Sequence, residues 1–248
     1  MLGRRPARRI QLVPTASDVT RALADASDDA AAASAARFFK TGDGEYGEGD
    51  VFLGVSMPAA RTIAKRFGEL AQGDLDELLW SDIHEHRMVA LLIMVAQYRD
   101  RPSKQLVDDY LAAARAGRVN NWDLVDASAE FLVGEYYFDK PRNVFFALAK
   151  SDQLWERRIA IVGRFGFIKR GDATTTLEIA EKLLREKHDL IQKAVGWMLR
   201  EVGKRVDRSL LIGFLDEHAA AMPRTMLSYA IEHLDPAQKT HYRSIART

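Results

Sequence analysis

Five helical segments align on a single alanine column, and this repeat restricts the possible folds more than any other feature of the chain. In HEHRMVALLI, NWDLVDASAE, LWERRIAIVG, LIQKAVGWML and RTMLSYAIEH the aligned residues are Ala90, Ala127, Ala160, Ala194 and Ala230, spaced by 37, 33, 34 and 36 positions. Each unit has room for this helix and one helix before it. A two-helix unit cannot bury its apolar face alone, so units of this length stack, and the small residue lets adjacent helices approach closely. The TPR consensus is absent. The expected fold is all-α: an α-solenoid of HEAT-like two-helix repeats, forming a single curved domain with a basic concave face.

Apolar residues at i, i+3, i+4 spacing predict helices over Ala22–Phe39, Pro58–Leu70, His84–Tyr98, Lys104–Ala114, Trp122–Phe131, Arg142–Ala149, Leu154–Ile168, Ala173–Leu184, Leu190–Val202, Arg208–Ala220 and Arg224–Leu234. Ser103, Asn121 and Asp172 stand where N-caps are expected, and Pro58, Pro141 and Pro223 where a first turn tolerates a missing N–H. Thr41–Val51, TGDGEYGEGDV, holds four glycines and reads as a loop. It is acidic and lacks a Lys-Ser/Thr ending, so it is not expected to cradle a phosphate.

Composition excludes several chemistries. With no cysteine, the chain has no disulfide, iron–sulfur cluster, thiolate zinc site or cysteine nucleophile, which suits a reducing cytoplasm. No apolar run is long enough for a membrane span, and no secretory signal is expected. Residues 1–20 are expected to be a basic, disordered tail, with the repeat domain over 21–248; residues 1–9 carry four arginines and no acid. Residues 10–149 carry 14 basic and 22 acidic side chains, and residues 150–248 carry 18 basic and 13 acidic ones. That asymmetry points weakly to a polyanion; chance clustering on a solvated surface is the alternative.

A helical wheel separates two faces of the second helices. With the column alanine at 0°, Leu190, Ile191, Ala194, Val195, Met198 and Leu199 fall between about −40° and 140°, a core stripe. Trp122, Asp126, Arg158, Lys193, Trp197, Arg200 and Lys204 fall between about 160° and 300°. Stacked second helices would join these residues into one wall. Aromatic rings interleaved with cations suit nucleic acid. A carboxylate among cations suits a reaction that develops positive charge, as glycosidic cleavage does. The alternative for Asp126 is an ordinary salt bridge to Arg158, and Trp122 and Trp155 could each be a packing anchor. His84 and His86 point to different sides of their helix and cannot easily share a metal; a solvated helix start is expected there. Arg157 points toward the core or an inter-repeat salt bridge.

The segments FLGVSMP (Phe52–Pro58), NNWDLVD (Asn120–Asp126), LWERRIAIV (Leu154–Val162) and QKAVGWMLRE (Gln192–Glu201), in this order, resemble the AlkD-type family of bacterial DNA alkylation-repair glycosylases. The resemblance covers roughly Ala30 to Leu234. It implies HEAT-like repeats and excision of cationic N3- and N7-alkylpurines from double-stranded DNA. By position, it implies a catalytic Asp126, active-site Trp122 and Trp197, and a DNA-backbone contact from Arg158. Lys193 and Arg200 join them as DNA-binding candidates, and Phe38 stands where the family often has a tyrosine, so a hydroxyl is missing there. The resemblance implies no metal, no organic cofactor and no lysine Schiff base, and a monofunctional hydrolase; a monomer is expected because solenoids bind DNA readily as monomers, and a cytoplasmic location because the chain lacks cysteine. A non-catalytic module that binds damaged or branched DNA, or a protein partner, is the alternative.

Overall fold

The computed structural model describes residues 14–246. The helices are α1 (Ala16–Ala24), α2 (Asp29–Phe38), α3 (Met57–Arg66), α4 (Gln72–Leu79), α5 (His84–Asp100), α6 (Lys104–Arg115), α7 (Trp122–Ala129), α8 (Asn143–Ala149), α9 (Leu154–Val162) and α10 (Phe165–Lys169). They continue with α11 (Thr174–Lys182), α12 (Asp189–Arg205), α13 (Arg208–His218), α14 (Arg224–Ala230) and α15 (Pro236–Ser244). Among the described residues there is no strand, only an isolated bridge between Val51 and Ile83.

The stacking follows the repeat. Helix α5 packs on α7, α7 on α9, α9 on α12 and α12 on α14, while α4, α8 and α11 pack against the second helix of their own unit. The core stripe of α12 is buried as the wheel requires: Ile191, Val195, Met198 and Leu199 are fully enclosed. Ala90, Ala160, Ala194 and Ala230 are buried too; Ala127 is the exception, half-buried and packed against the core. Gly196 shows how close the last pair comes. A Cβ there would lie 2.4 Å from the Met226 carbonyl oxygen and 2.6 Å from the Tyr229 Cβ. Nothing larger than hydrogen fits there without a shift of α14.

Four expectations change. The helix predicted over Ala22–Phe39 is two helices. The Asp28 carboxylate caps α2 by accepting from the Ala31 N–H at 2.8 Å, and its own N–H donates to the Leu53 carbonyl. The Ser27 hydroxyl donates to the Ala24 carbonyl at 2.7 Å, so short polar side chains at Ser27 and Asp28 satisfy the backbone outside a helix. The helix predicted over Leu154–Ile168 breaks at Gly163 and Arg164. Third, ordered structure starts before residue 21: α1 begins at Ala16 and buries Ala16, Val19 and Leu23. The Arg-rich residues 1–9 of the expected tail lie outside the described residues. The predicted Trp122–Phe131 helix runs on from α7 into a wider turn over Glu130–Gly134. Asp172 accepts from the Thr174 N–H at 3.0 Å but sits one residue before the cap position.

Candidate functional site

Helix α7 places two of the candidates. The Asn121 side chain accepts from the Trp122 N–H at 2.8 Å, which starts the helix with Trp122 at its first position. Asp126 follows one turn later on the same side. Arg158 comes from the middle of α9, and Lys193, Trp197 and Arg200 from successive turns of α12. Phe38 closes α2. All seven line one groove of about 480 Å³.

The centre of the groove is an ion pair. Arg158 Nε and Nη2 donate to the two oxygens of Asp126 at 2.9 and 2.8 Å, and Nη1 donates to the Leu190 carbonyl at 2.7 Å. The Arg158 side chain is 6% exposed and that of Asp126 is 21% exposed. The salt bridge offered as the alternative for Asp126 is therefore present, yet the carboxylate still faces the groove. Burial pushes the Asp126 carboxyl above its ordinary pKa, with the Arg158 guanidinium pulling against it. Three of the five N–H donors of Arg158, the residue expected at the DNA backbone, are used inside the protein.

Aromatic rings wall this carboxylate. Phe39 stacks on Trp122 at 5.4 Å and on Phe52 at 5.1 Å, Phe52 stacks on His84 at 4.5 Å, and Phe38 meets Trp122 edge-on at 6.1 Å. Phe38 is 65% exposed, an apolar side chain held out in the groove. On the far side Trp197 packs against Phe165 at 5.5 Å. The two tryptophans the wheel left equivalent are now distinct: Trp155 is buried as a packing anchor, and Trp122 faces the groove.

The wall is less cationic than expected, and it holds a second acid. Asp189 lines the groove and accepts from Lys193 Nζ at 2.7 Å. Burial alone would raise the Asp189 carboxyl, but the Lys193 ammonium holds it below its ordinary value. Arg200 pairs with Glu201 and Glu232. Lys40, which the sequence reading missed, lines the groove with no ion-pair partner among the described residues. Lys204 lies outside this groove, in a neighbouring hollow with Arg200. Tyr46 and Tyr229 were also missed and line the groove. Arg157 makes the inter-repeat bridge expected of it, to Glu186 at 2.6 Å.

Beneath Trp122 lies a buried polar network where a solvated helix start was expected. His84, Glu85 and His86 are all buried. His84 Nδ1 and Nε2 bond Asp50 at 3.1 Å and Asp123 at 2.9 Å. Arg87 donates to Asp50 at 2.5 Å, and Asn120 bonds the same carboxylate oxygen at 2.9 Å. Burial works against a charged His84, but the hydrogen bonds its ring N–H groups donate to Asp123 and Asp50 raise its pKa to about 9. The Glu85 carboxylate accepts from the N–H groups of Leu53, Gly54 and Val55 at 2.8–3.2 Å. The solvated-start reading fails because the loop before α3 folds back over these side chains. Among the described residues no cluster of His, Asp or Glu is arranged to hold a metal, and no helix is long and apolar enough to cross a membrane.

No curated protein matches the chain. A solved structure described as a predicted DNA alkylation repair enzyme from Enterococcus faecalis is similar, with a TM-score of 0.70 and 17% identity, covering 85% of this chain and 97% of that one. At that identity the likeness concerns the fold. The sequence itself carries the rest: a family model described as DNA alkylation repair enzyme matches residues 19–234, a span holding every residue that lines the groove. On that match the chain belongs to the DNA alkylation repair enzyme family.

Proposed function

We propose that this protein is a monofunctional DNA glycosylase that hydrolyses the N-glycosidic bond of cationic N3- and N7-alkylated purines in duplex DNA. The observation that carries the reading is Asp126: a carboxylate fixed by a bidentate guanidinium, open to a groove walled by Trp122 and Trp197.

The chemistry needs little from the protein. An N3- or N7-alkylated purine is already positively charged, so it leaves with the bonding electron pair as a neutral base. The deoxyribose is left as an oxocarbenium-like cation. Asp126 stabilises that charge and accepts the proton of the water whose oxygen adds to C1′, and the proton then passes to solvent. The products are a free base and an abasic site. Trp122 and Trp197 flank the sugar, and their π faces favour the developing cation by about 0.5–2 kcal/mol each.

Arg158 acts through Asp126 as a positioning residue. It fixes both carboxylate oxygens and favours the ionised form that burial opposes. Phosphates are left to Lys40, Lys193 and Arg200, which line the groove around the tryptophans. Their partial neutralisation by Asp189, Glu201 and Glu232 makes DNA affinity modest and dependent on ion-pair exchange. Phe38 stands against Trp122 and offers an exposed ring to the lesion strand.

Base release from methylated duplex DNA, read by chromatography, tests the reading. The protein is expected to free 7-methylguanine and 3-methyladenine and to leave abasic sites. Salt-sensitive retention of the same DNA with no base released contradicts the reading and identifies a non-catalytic binder.

A further inference from the structure

Most cations of the groove are already paired with acids: Arg158, Lys193 and Arg200 are, and Lys40 is not. A second hollow, of about 620 Å³, reverses that balance. It opens between the turn from α8 to α9 and the turn from α11 to α12, and Lys150, Lys182, Arg185 and Lys187 stand round it. All four are exposed, and none has an ion-pair partner among the described residues. Lys150 and Lys182 stand at the C-terminal ends of α8 and α11, where the helix dipole favours a cation in any case. Arg185 and Lys187 stand beyond the end of α11 and have no such task.

The floor under these cations is fixed. Arg157 Nε donates to Glu186 at 2.6 Å, and its Nη1 donates to the Ser151 and Asp152 carbonyls at 2.9 Å each, which ties one turn to the other. The Glu186 carboxylate also accepts from the Lys187 and His188 N–H groups at 2.9 and 3.0 Å. This acid is therefore used beneath the cations and not to neutralise them. Asp152 remains as an exposed acid on the lining, against the four free cations.

Hollow and groove share an edge. His188 lines the hollow and meets the Tyr46 ring at 6.4 Å, while Tyr46, Asp189 and Leu190 line the groove. Lys187 and Asp189 are two residues apart, so about 7 Å of chain at most separates the two linings.

We propose that this hollow is a second DNA site, which holds backbone phosphates of the duplex beside the nucleotide that Asp126 faces. The proposal rests on the reading of the groove as a DNA site. A strand with one sugar at Asp126 carries a phosphate at every nucleotide and must leave the groove over one of its edges. The start of α12 is the edge where unpaired cations gather. Four long, exposed cations in an open hollow suit a row of phosphates, which stay hydrated, and not one deeply enclosed ion.

Affinity for an unmodified duplex of about 20 base pairs, measured across a salt titration, tests this, since each phosphate contact contributes about 0.9 to the slope of log affinity against log salt. The triple variant Lys150→Gln, Arg185→Gln, Lys187→Gln is expected to lower that slope by about 2 to 3 and to weaken binding at low salt by about tenfold or more. The triple variant Arg61→Gln, Lys65→Gln, Arg66→Gln removes the same formal charge from exposed positions on α3, away from both linings, and is expected to leave the slope unchanged. An unchanged slope in the first triple overturns the proposal. An equal fall in both overturns it too, because the effect is then one of net charge. No base is released in this assay. A lowered slope in a protein that frees no 7-methylguanine contradicts the glycosylase reading alone, and an unchanged slope in a protein that does free it contradicts this proposal alone.

Discussion

Removing the Arg158 guanidinium should uncouple the two effects that set the state of Asp126. In Arg158→Met the carboxylate loses two charge-assisted hydrogen bonds, and the Leu190 carbonyl loses one. Breaking a buried ion pair by deleting one partner costs about 3–5 kcal/mol. Asp126 keeps a 21% exposed side chain and some hydration, so the lower end applies, about 3 kcal/mol. Urea unfolding of Arg158→Met, Asp126→Asn and the double variant reads this directly. The double variant should be less destabilised than the sum of the singles, by about 2 kcal/mol, because each single leaves the other group stranded. The pH profile supplies the second readout. Burial already holds the Asp126 pKa above its ordinary value, and Arg158 is what opposes it. Without the guanidinium the pKa rises further, so residual base release should fail at a higher pH than in wild type as the solution is acidified. Strictly additive single variants, with an unmoved acid limb, would refute the claim that Arg158 works through Asp126.

Other outcomes follow from the packing and the buried network. His84 has a folded pKa of about 9 against an ordinary 6.5, so its contribution is fully present below about pH 6.5 and is lost as pH rises through 9, roughly 3 kcal/mol across that window. His84→Gln should flatten that slope in urea titrations from pH 6 to 10; an unchanged slope assigns it elsewhere. Gly196→Ala forces a Cβ against the Met226 carbonyl and the Tyr229 Cβ, so calorimetry should show a loss of about 1–3 kcal/mol. A neutral outcome means that α12 and α14 separate freely. Phe38→Ala should leave stability within about 0.5 kcal/mol, because the ring is 65% exposed, while weakening affinity for lesion-containing duplex.

The legible part of this protein was periodic. An alanine every 33 to 37 residues reports a stacking contact, and 100° steps around that column separate core from wall, so Trp122, Asp126, Arg158, Lys193, Trp197 and Arg200 could be brought together from the sequence. What escaped had no period. The Asp50–His84–Asp123 network joins residues 34 and 39 positions apart through a loop whose path no repeat dictates. Tyr46 sits among glycines, where local pattern says only that the chain turns. Pairing was also harder to see than placement. Lys193 and Asp189 are four apart on one helix, a spacing that predicts their bond, but the wheel counted Lys193 as a free cation. For Arg158 the pairing was open to the sequence as an alternative, the salt bridge to Asp126 that the structure contains, while its place at the DNA backbone came from the family resemblance.

The central claim is that Asp126 carries out the reaction rather than merely holding the groove together. Single-turnover release of 7-methylguanine by wild type and Asp126→Asn, measured beside their affinities for the same duplex, tests it most directly. Release is expected to fall by about a hundredfold or more, as removal of a general base or charge stabiliser does, while affinity stays within a few-fold. Equal release rates from the two proteins would contradict the account.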